Sequence, residues 1–166
     1  MRELKTKLSD SRLDYNDKCM LWSAFTLAFF GFLRVSEYTS PSRNRAGPLI
    51  LGCVKIDQET LKVSVIRDKT NQLGTPVTLT IAATNRSCCA VRAFRKYIFC
   101  RLGKGLAGNS PLYVSGDGSY LTRQRVNQVV KDLLGVSFKS HSFRIGAATT
   151  AAEAGIPVDL IRILGR

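Results

Sequence analysis

The sequence has a single histidine, and its five cysteines include no C-x-x-C pair. Structural zinc sites need several Cys or His ligands at short, regular spacing, so we expect no metal site. The chain also lacks a G-x-G-x-x-G motif and a Walker-type loop, and we expect no nucleotide or other small-molecule cofactor. A signal peptide and a disulfide framework are absent as well, which favours a reducing compartment, nuclear or cytoplasmic.

Long hydrophobic runs are scarce too. The longest, CMLWSAFTLAFFGFL, ends immediately before Arg34 and Glu37. It is shorter than the ~20 residues that a membrane-spanning helix needs. We therefore expect a buried helix here and no membrane partner.

Acidic residues are few relative to basic ones. The 166 residues include 25 Lys and Arg against 12 Asp and Glu, for a formal net charge of +13. A chain of this length and apolar content is expected to form one domain, residues 1–166. Such an excess of positive charge favours a polyanionic partner, because several phosphates are neutralised together with release of their counterions. Nucleic acid is the leading candidate for that partner, ahead of an anionic membrane surface.

The pattern of apolar residues predicts an α+β domain that is mainly helical. One long, almost wholly apolar helix is predicted from Asp14 to about Tyr38. The runs LILGCVKI, LKVSVIRDK and PVTLTIA then predict a small three-stranded antiparallel sheet. No βαβ pattern is present.

Four further helices are predicted after the sheet. The first follows a cap at Ser87, and its outward face is expected to carry Arg92, Arg95, Lys96 and Arg101. The second runs from Thr122 to Leu134. A third follows Ser140 and breaks at Gly155, and a fourth starts near Pro157.

Four polar residues lie where an anion could bind. Arg34 ends the apolar run, and Arg144 follows His141 by three positions, so that both lie on one helical face. Two arginines could hold one phosphate by bidentate hydrogen bonds, with histidine moving a proton beside them. Lys69 lies at a predicted hairpin tip. Three of the four have a plainer explanation: an Arg34–Glu37 ion pair, a helix-capping histidine and a solvated lysine.

The order of these segments resembles the catalytic domain of the tyrosine recombinases, the phage-integrase family, from about Tyr15 to the last residue. FGFLRVSE is similar to the G-L-R-x-S-E box of that family, and RDKTNQLG to its β-hairpin lysine segment. HSFRIGAATTAAEAGIPVDLIRILG is similar to the H-x-L-R helix and the L-G ending. The sequence around GFLRVSEYTS resembles transposon- or retroelement-encoded eukaryotic members of this family.

The resemblance implies DNA recombination and integration through a 3′-phosphotyrosine intermediate, without metal or cofactor. Arg34 and Arg144 would hold the scissile phosphate, Lys69 would protonate the leaving 5′ oxygen, and His141 would assist proton transfer. Glu37 would support Arg34, and Arg166 stands in the position after L-G. The expected DNA contacts are Arg43, Arg45, Arg92, Arg95, Lys96, Arg123, Arg125 and Lys139.

The sequence departs from the family pattern in two ways. The nucleophilic tyrosine is expected after the L-G ending, and all five tyrosines precede His141. The amino-terminal core-binding domain has no counterpart, so we expect a truncated catalytic core that binds DNA without cutting it, monomeric alone and tetrameric on DNA in a full-length context. Two alternatives stay open: a domesticated DNA- or protein-binding module without catalysis, and a type IB topoisomerase-like enzyme.

Overall fold

Seven helices and three strands form the part of the chain that the computed structural model describes, residues 1–65, 76–102 and 107–165. The helices are α1 (Arg2–Asp10), α2 (Tyr15–Phe30), α3 (Val35–Tyr38), α4 (Ala90–Arg101), α5 (Arg123–Leu134), α6 (His141–Glu153) and α7 (Val158–Gly165). The strands are β1 (Val54–Ile56), β2 (Thr60–Val65) and β3 (Val77–Ala82). The predicted α+β class, mainly helical with a small sheet, is confirmed.

Helix α2 is the centre of the core. Its first turn is capped by Asp14, whose carboxylate accepts hydrogen bonds from the backbone N–H groups of Asn16, at 2.7 Å, and Asp17, at 3.3 Å. Buried residues then occur on all sides of the helix. They pack against α1, α4 and α6. The prediction that this apolar run is a buried helix is confirmed.

The predicted carboxyl end of that helix is wrong. The sequence predicted helix up to Tyr38, whereas α2 ends at Phe30 and α3 begins only at Val35. Phe32 adopts a left-handed backbone conformation with φ of 52°, and the N–H of Leu33 reaches back to the carbonyl of Ala28 at 3.0 Å. A left-handed residue with such a back-bond terminates a helix. Gly31 fits here because a Cβ atom would lie 2.8 Å from the carbonyl oxygen of Leu27.

The three-stranded antiparallel sheet is confirmed, with strand order β1-β2-β3. Val63 of the central strand lies opposite Val54 of β1 and Leu79 of β3. Alternate residues of β2 are buried, and this strand packs against α4. The first predicted strand is shorter than its apolar run, because Leu51–Cys53 forms a 3-10 turn.

The helices in the last third of the chain are confirmed closely. The hydroxyl of Thr122 accepts a hydrogen bond from the N–H of Arg125 at 3.2 Å, which caps α5 as predicted. Helix α6 starts directly after Ser140, and α7 starts directly after Pro157. The N–H of Ser140 donates to the side-chain oxygen of Asn127 at 2.8 Å, so the start of α6 is fixed against α5.

Helix α4 differs from its prediction at both ends. Its cap is Cys89 rather than Ser87, and the Cys89 sulfur accepts a hydrogen bond from the N–H of Thr84 at 3.3 Å. Arg101 does not face outward: it is only 5% exposed and donates to the carbonyl oxygens of Pro111 and Leu112. A buried guanidinium needs such acceptors, and pattern alone gave no sign of them.

Helix α1 was not predicted. Leu4 and Leu8, one helical turn apart, are both buried in the core. The helix packs against α2 and α5. A helix as short as α1 is stable only when it packs against the rest of the protein. The local sequence does not show that packing.

Candidate nucleic-acid interface

Arg34 follows the turn that ends α2. It has an extended backbone, with φ of −72° and ψ of 147°, and stands at the cap position of α3. Its backbone N–H donates to the carboxylate of Glu37 at 2.6 Å, and the N–H of Glu37 donates to the Arg34 carbonyl at 2.9 Å. The sequence placed both residues on one helical face, but Arg34 precedes the helix. Glu37 therefore fixes the main chain from which the exposed Arg34 side chain projects.

Arg144 reaches the same region from α6 and is half-buried. Its Nη1 donates to the carbonyl oxygen of Phe32 at 3.4 Å, in the turn just before Arg34. Its Nη2 donates to the carbonyl oxygen of Gly165, at the end of α7. These two carbonyl groups hold the guanidinium between the end of α2 and the end of the last helix.

His141 is the first residue of α6 and is exposed. It lies one helical turn before Arg144, so the two side chains share a face. Because Asn127 holds the N–H of Ser140, the amino end of α6 is positioned by α5. The contact between Ser140 and Asn127 therefore fixes the backbone from which the His141 side chain projects.

The arginines and the histidine line one cleft. Its volume is about 370 Å³, and the residues around it are Leu33, Arg34, Val35, Ser36, Arg123, Ser140, His141 and Arg144. Arg34 and Arg144, which are far apart in the sequence, therefore converge on a common space. The arrangement provides guanidinium donors on one cleft, which suits a phosphodiester.

Two of the predicted site residues lie outside the described residues. Lys69, the expected proton donor, falls between Val65 and β3, and Arg166 is the last residue of the chain. Their predicted roles stay predictions. No tyrosine is found among the described residues that line the cleft.

A larger groove adjoins the cleft and is strongly basic. Its volume is about 1540 Å³. Five of the eight expected DNA contacts line it: Arg43, Arg45, Arg123, Arg125 and Lys139. Lys131 lines it as well, a residue that sequence reasoning missed. Lys131 lies three and four positions after Gln128 and Asn127, which also line the groove, and this spacing indicates that the three residues share one face of α5.

Two carboxylates hold groove arginines in place. Asp117 pairs with Arg43, with 2.7 Å between Oδ2 and Nη2, and Asp17 pairs with Arg125, with 3.7 Å between Oδ2 and Nη2. A hydrogen bond from the Ser119 hydroxyl lowers the pKa of Asp117 below its usual value, with a smaller contribution from Arg43. Asp117 therefore carries a negative charge inside a groove whose cations outnumber its carboxylates.

The remaining three expected contacts lie on α4, and none of them lines the cleft or the groove. Arg92 donates to the carbonyl oxygen of Thr84 at 3.1 Å, and the ammonium of Lys96 lies 5.0 Å from the ring centre of Tyr15. A hydrogen bond to Tyr15 raises the pKa of Lys96. Arg95 is exposed on the same helix. These three cations therefore lie outside the cleft and the groove, and their predicted DNA contacts stay predictions.

Neither a candidate metal site nor a candidate membrane span occurs in residues 1–65, 76–102 and 107–165. No group of three or more His, Cys, Asp or Glu side chains in this part of the chain could hold a metal ion. Nor does this part include a helix with the length and apolar character needed to cross a bilayer.

The architecture is similar to that of solved site-specific recombinases. The XerH recombinase bound to its difH substrate in a pre-cleavage complex matches with a TM-score of 0.68 and 11% identity, covering 98% of this chain and 44% of that one. The XerA recombinase matches with a TM-score of 0.65 and 17% identity, over 97% of this chain and 51% of that one. The FLP recombinase in a Holliday junction complex matches with a TM-score of 0.65 and 14% identity, over 99% of this chain and 42% of that one.

These matches show the fold. The chain has the fold of a tyrosine recombinase, as the sequence motifs predicted. It spans about half, or less, of the length of these three recombinases. No protein-family model matches the sequence, and no curated protein matches it.

Proposed function

We propose that this chain binds duplex DNA along the basic groove and places one phosphodiester between Arg34 and Arg144 for transesterification. The observation that carries the proposal is the shared cleft, which Arg34, Arg144 and His141 all line. The net charge of +13 and the groove cations supply the affinity for a polyanion. The XerH and FLP neighbours were solved with DNA, which supports the same class of partner.

The chemistry follows from where charge develops during displacement at phosphorus. A tyrosine hydroxyl attacks the phosphorus atom, a 3′-phosphotyrosine ester forms, and the 5′ oxygen leaves with a proton. Negative charge grows on the nonbridging oxygens, and fixed guanidinium groups stabilise that charge without reorganising. The carbonyl groups of Phe32 and Gly165 hold the Arg144 guanidinium, while Glu37 holds the Arg34 main chain.

Proton transfer is the task left to the other two side chains. His141 stands at the cleft with an exposed ring and would exchange a proton with the phosphate or the nucleophile. Lys69, as predicted from the sequence, would donate the proton that the leaving 5′ oxygen needs. The nucleophile would be a tyrosine other than the five of this chain, because the recombinase pattern places it after the L-G ending and all five precede His141.

The binding step is tested by fluorescence anisotropy with a labelled duplex of arbitrary sequence. Contacts to ~6 to 10 phosphates would lower the affinity by about three to five powers of ten between 50 and 200 mM salt. Replacing Arg45 and Lys139 in the groove with Gln should reduce the steepness of this dependence, whereas Arg95→Gln on α4 should not. An affinity that barely responds to salt would contradict the proposal and favour a protein partner.

A second candidate is a recombinase-fold module that binds DNA and performs no chemistry. The observation that favours it is the absence of a tyrosine from the described residues around the cleft. A nicked suicide duplex separates the two. A form of the protein that carries a tyrosine beyond Leu164 and Gly165 should give an SDS-resistant adduct, which Arg34→Gln and Arg144→Gln abolish. Tight binding without an adduct would favour the module; a topoisomerase-like enzyme would form the adduct and relax supercoiled DNA.

A further inference from the structure

The cleft and the basic groove meet at two residues. Of the described residues, only Ser36 and Arg123 line both spaces. Arg34, His141 and Arg144 line the cleft alone. Arg123 is therefore the one described cation at the passage from the reacting phosphate to the rest of the DNA surface.

Arg123 is also placed differently from the other arginines of the groove. It is the first residue of α5, directly after the Thr122 cap, and its side chain is exposed. In the described part of the chain, the groove carboxylates pair with Arg43 and Arg125, not with Arg123. The charge of Arg123 is thus available to a ligand without displacing a carboxylate of the protein.

A DNA strand that runs from the groove into the cleft would pass between the two spaces beside Ser36 and Arg123. Successive phosphates of one strand are about 3.4 Å apart along the helix axis, so the phosphate next to the bound one lies beside the cleft rather than deep in the groove. We propose that Arg123 binds this neighbouring phosphate, with the Ser36 hydroxyl beside it. Arg123 thereby determines which phosphate of the strand occupies the Arg34–Arg144 cleft. The inference rests on the proposed function of that cleft.

Short single strands test this assignment directly. The dithymidine dinucleotide TpT has one phosphodiester, and the trinucleotide TpTpT has two. Titrations followed by NMR give the affinity of each and show whether the amides of Ser140, His141 and Arg144 shift. The wild-type chain should bind TpTpT about tenfold more tightly than TpT, since a second charge-assisted contact is added. Arg123→Gln should remove this difference and change TpT affinity less than twofold.

Three variants complete the design. Arg45→Gln removes a guanidinium that lines the groove alone, and the tenfold difference should persist. Arg123→Lys keeps the charge without the planar fork, so it should retain part of the difference. Arg34→Gln should weaken both ligands alike, because it acts on the phosphate that they share.

The outcomes separate this inference from the proposed function. If Arg123→Gln weakens TpT as much as TpTpT, Arg123 binds the cleft phosphate itself and the assignment is wrong. An unchanged tenfold difference in Arg123→Gln would equally overturn it. If the wild-type chain shows no shifts at the cleft with either ligand while binding duplex DNA, the cleft proposal fails instead.

Discussion

The guanidinium of Arg144 donates a hydrogen bond to the carbonyl oxygen of Phe32, 3.4 Å away and 112 residues earlier in the chain. Phe32 has a left-handed backbone, with φ of 52°, and it forms the turn that directs the chain into Arg34. One contact therefore connects the helix that carries one cleft arginine to the turn that positions the other. The position of the Arg144 guanidinium relative to the Arg34 main chain is set within the protein, and DNA need not create it.

Arg144 is expected to contribute to stability as well as to binding. Arg144→Gln should lower the free energy of unfolding by about 1 to 2 kcal/mol, because hydrogen bonds from a charged group to the Phe32 and Gly165 carbonyls are lost. Arg45→Gln, at an exposed side chain, should change it by less than about 0.5 kcal/mol. Urea denaturation measures both. Equal destabilisation by the two variants would show that the Arg144 contacts do not hold the turn.

Arg101 provides a second test of an arginine with a structural role. Its buried guanidinium donates to Pro111 and Leu112, at 2.9 and 3.0 Å. Arg101→Gln should cost about 2 to 3 kcal/mol, since the buried Pro111 carbonyl loses its guanidinium donor and the Leu112 carbonyl keeps only the Tyr97 hydroxyl. Arg95→Gln, on the exposed side of the same helix, is the control and should cost less than about 0.5 kcal/mol. A loss of DNA affinity by folded Arg101→Gln, without a loss of stability, would contradict this role.

The negative charge of Asp117 should oppose DNA binding. Asp117→Asn keeps a side-chain oxygen for the Ser119 turn but removes a charge from the groove, so duplex affinity at low salt should rise about two- to fivefold. The gain should shrink as salt screens the groove. Asp57→Asn is a matched control, because Asp57 likewise caps a turn, at Glu59 and Thr60, but lies outside the groove. A similar gain in duplex affinity in both variants would mean that the net charge of the whole chain, and not a charge inside the groove, determines the effect.

The sequence allowed the elements that depend on local signals to be predicted. Thr122 has the side chain of a helix cap and serves as one, and Pro157 directly precedes α7 as expected of a helix start. The β-rich run that starts at Leu61 predicted a strand, and β2 forms there. In each case the signal lies in the residues of the element itself or directly before it, so the prediction needed no knowledge of distant contacts.

Features that depend on distant contacts were missed. The break at Gly31 and Phe32 lies inside a run whose apolar residues all suit a buried helix, and only the tertiary position of the turn requires it. Arg101 looks like the other basic residues of α4 until the Pro111 and Leu112 carbonyl groups are placed beside it. For the same reason composition located the basic residues but could not separate the groove set from Arg92, Arg95 and Lys96.

Tyr38 holds a hydroxyl that the described part of the protein leaves without a hydrogen-bond partner, and the residue is only 3% exposed. A buried hydroxyl without a partner costs about 1 to 3 kcal/mol. Tyr38→Phe should therefore raise the free energy of unfolding by about 1 kcal/mol at pH 7. Tyr97→Phe should lower it, because the Tyr97 hydroxyl donates to Leu112 and accepts from the N–H of Val114. A loss of stability in Tyr38→Phe would reveal a partner such as a buried water.

The same substitution should change the response to alkali. Burial raises the pKa of Tyr38 above its ordinary value, so the folded state holds the neutral form where the unfolded chain has begun to ionise. Stability is then unaffected below pH ~10 and falls as the pH rises above it, by up to about 1.4 kcal/mol per pH unit for each such tyrosine. Burial raises the pKa of Tyr97 and Tyr113 as well, so the variant should still lose stability above pH 10. The free energy of unfolding of Tyr38→Phe should nevertheless exceed that of the wild type by about 1 kcal/mol more at pH 11 than at pH 10, as measured by urea denaturation. A constant difference would mean that Tyr38 ionises without unfolding.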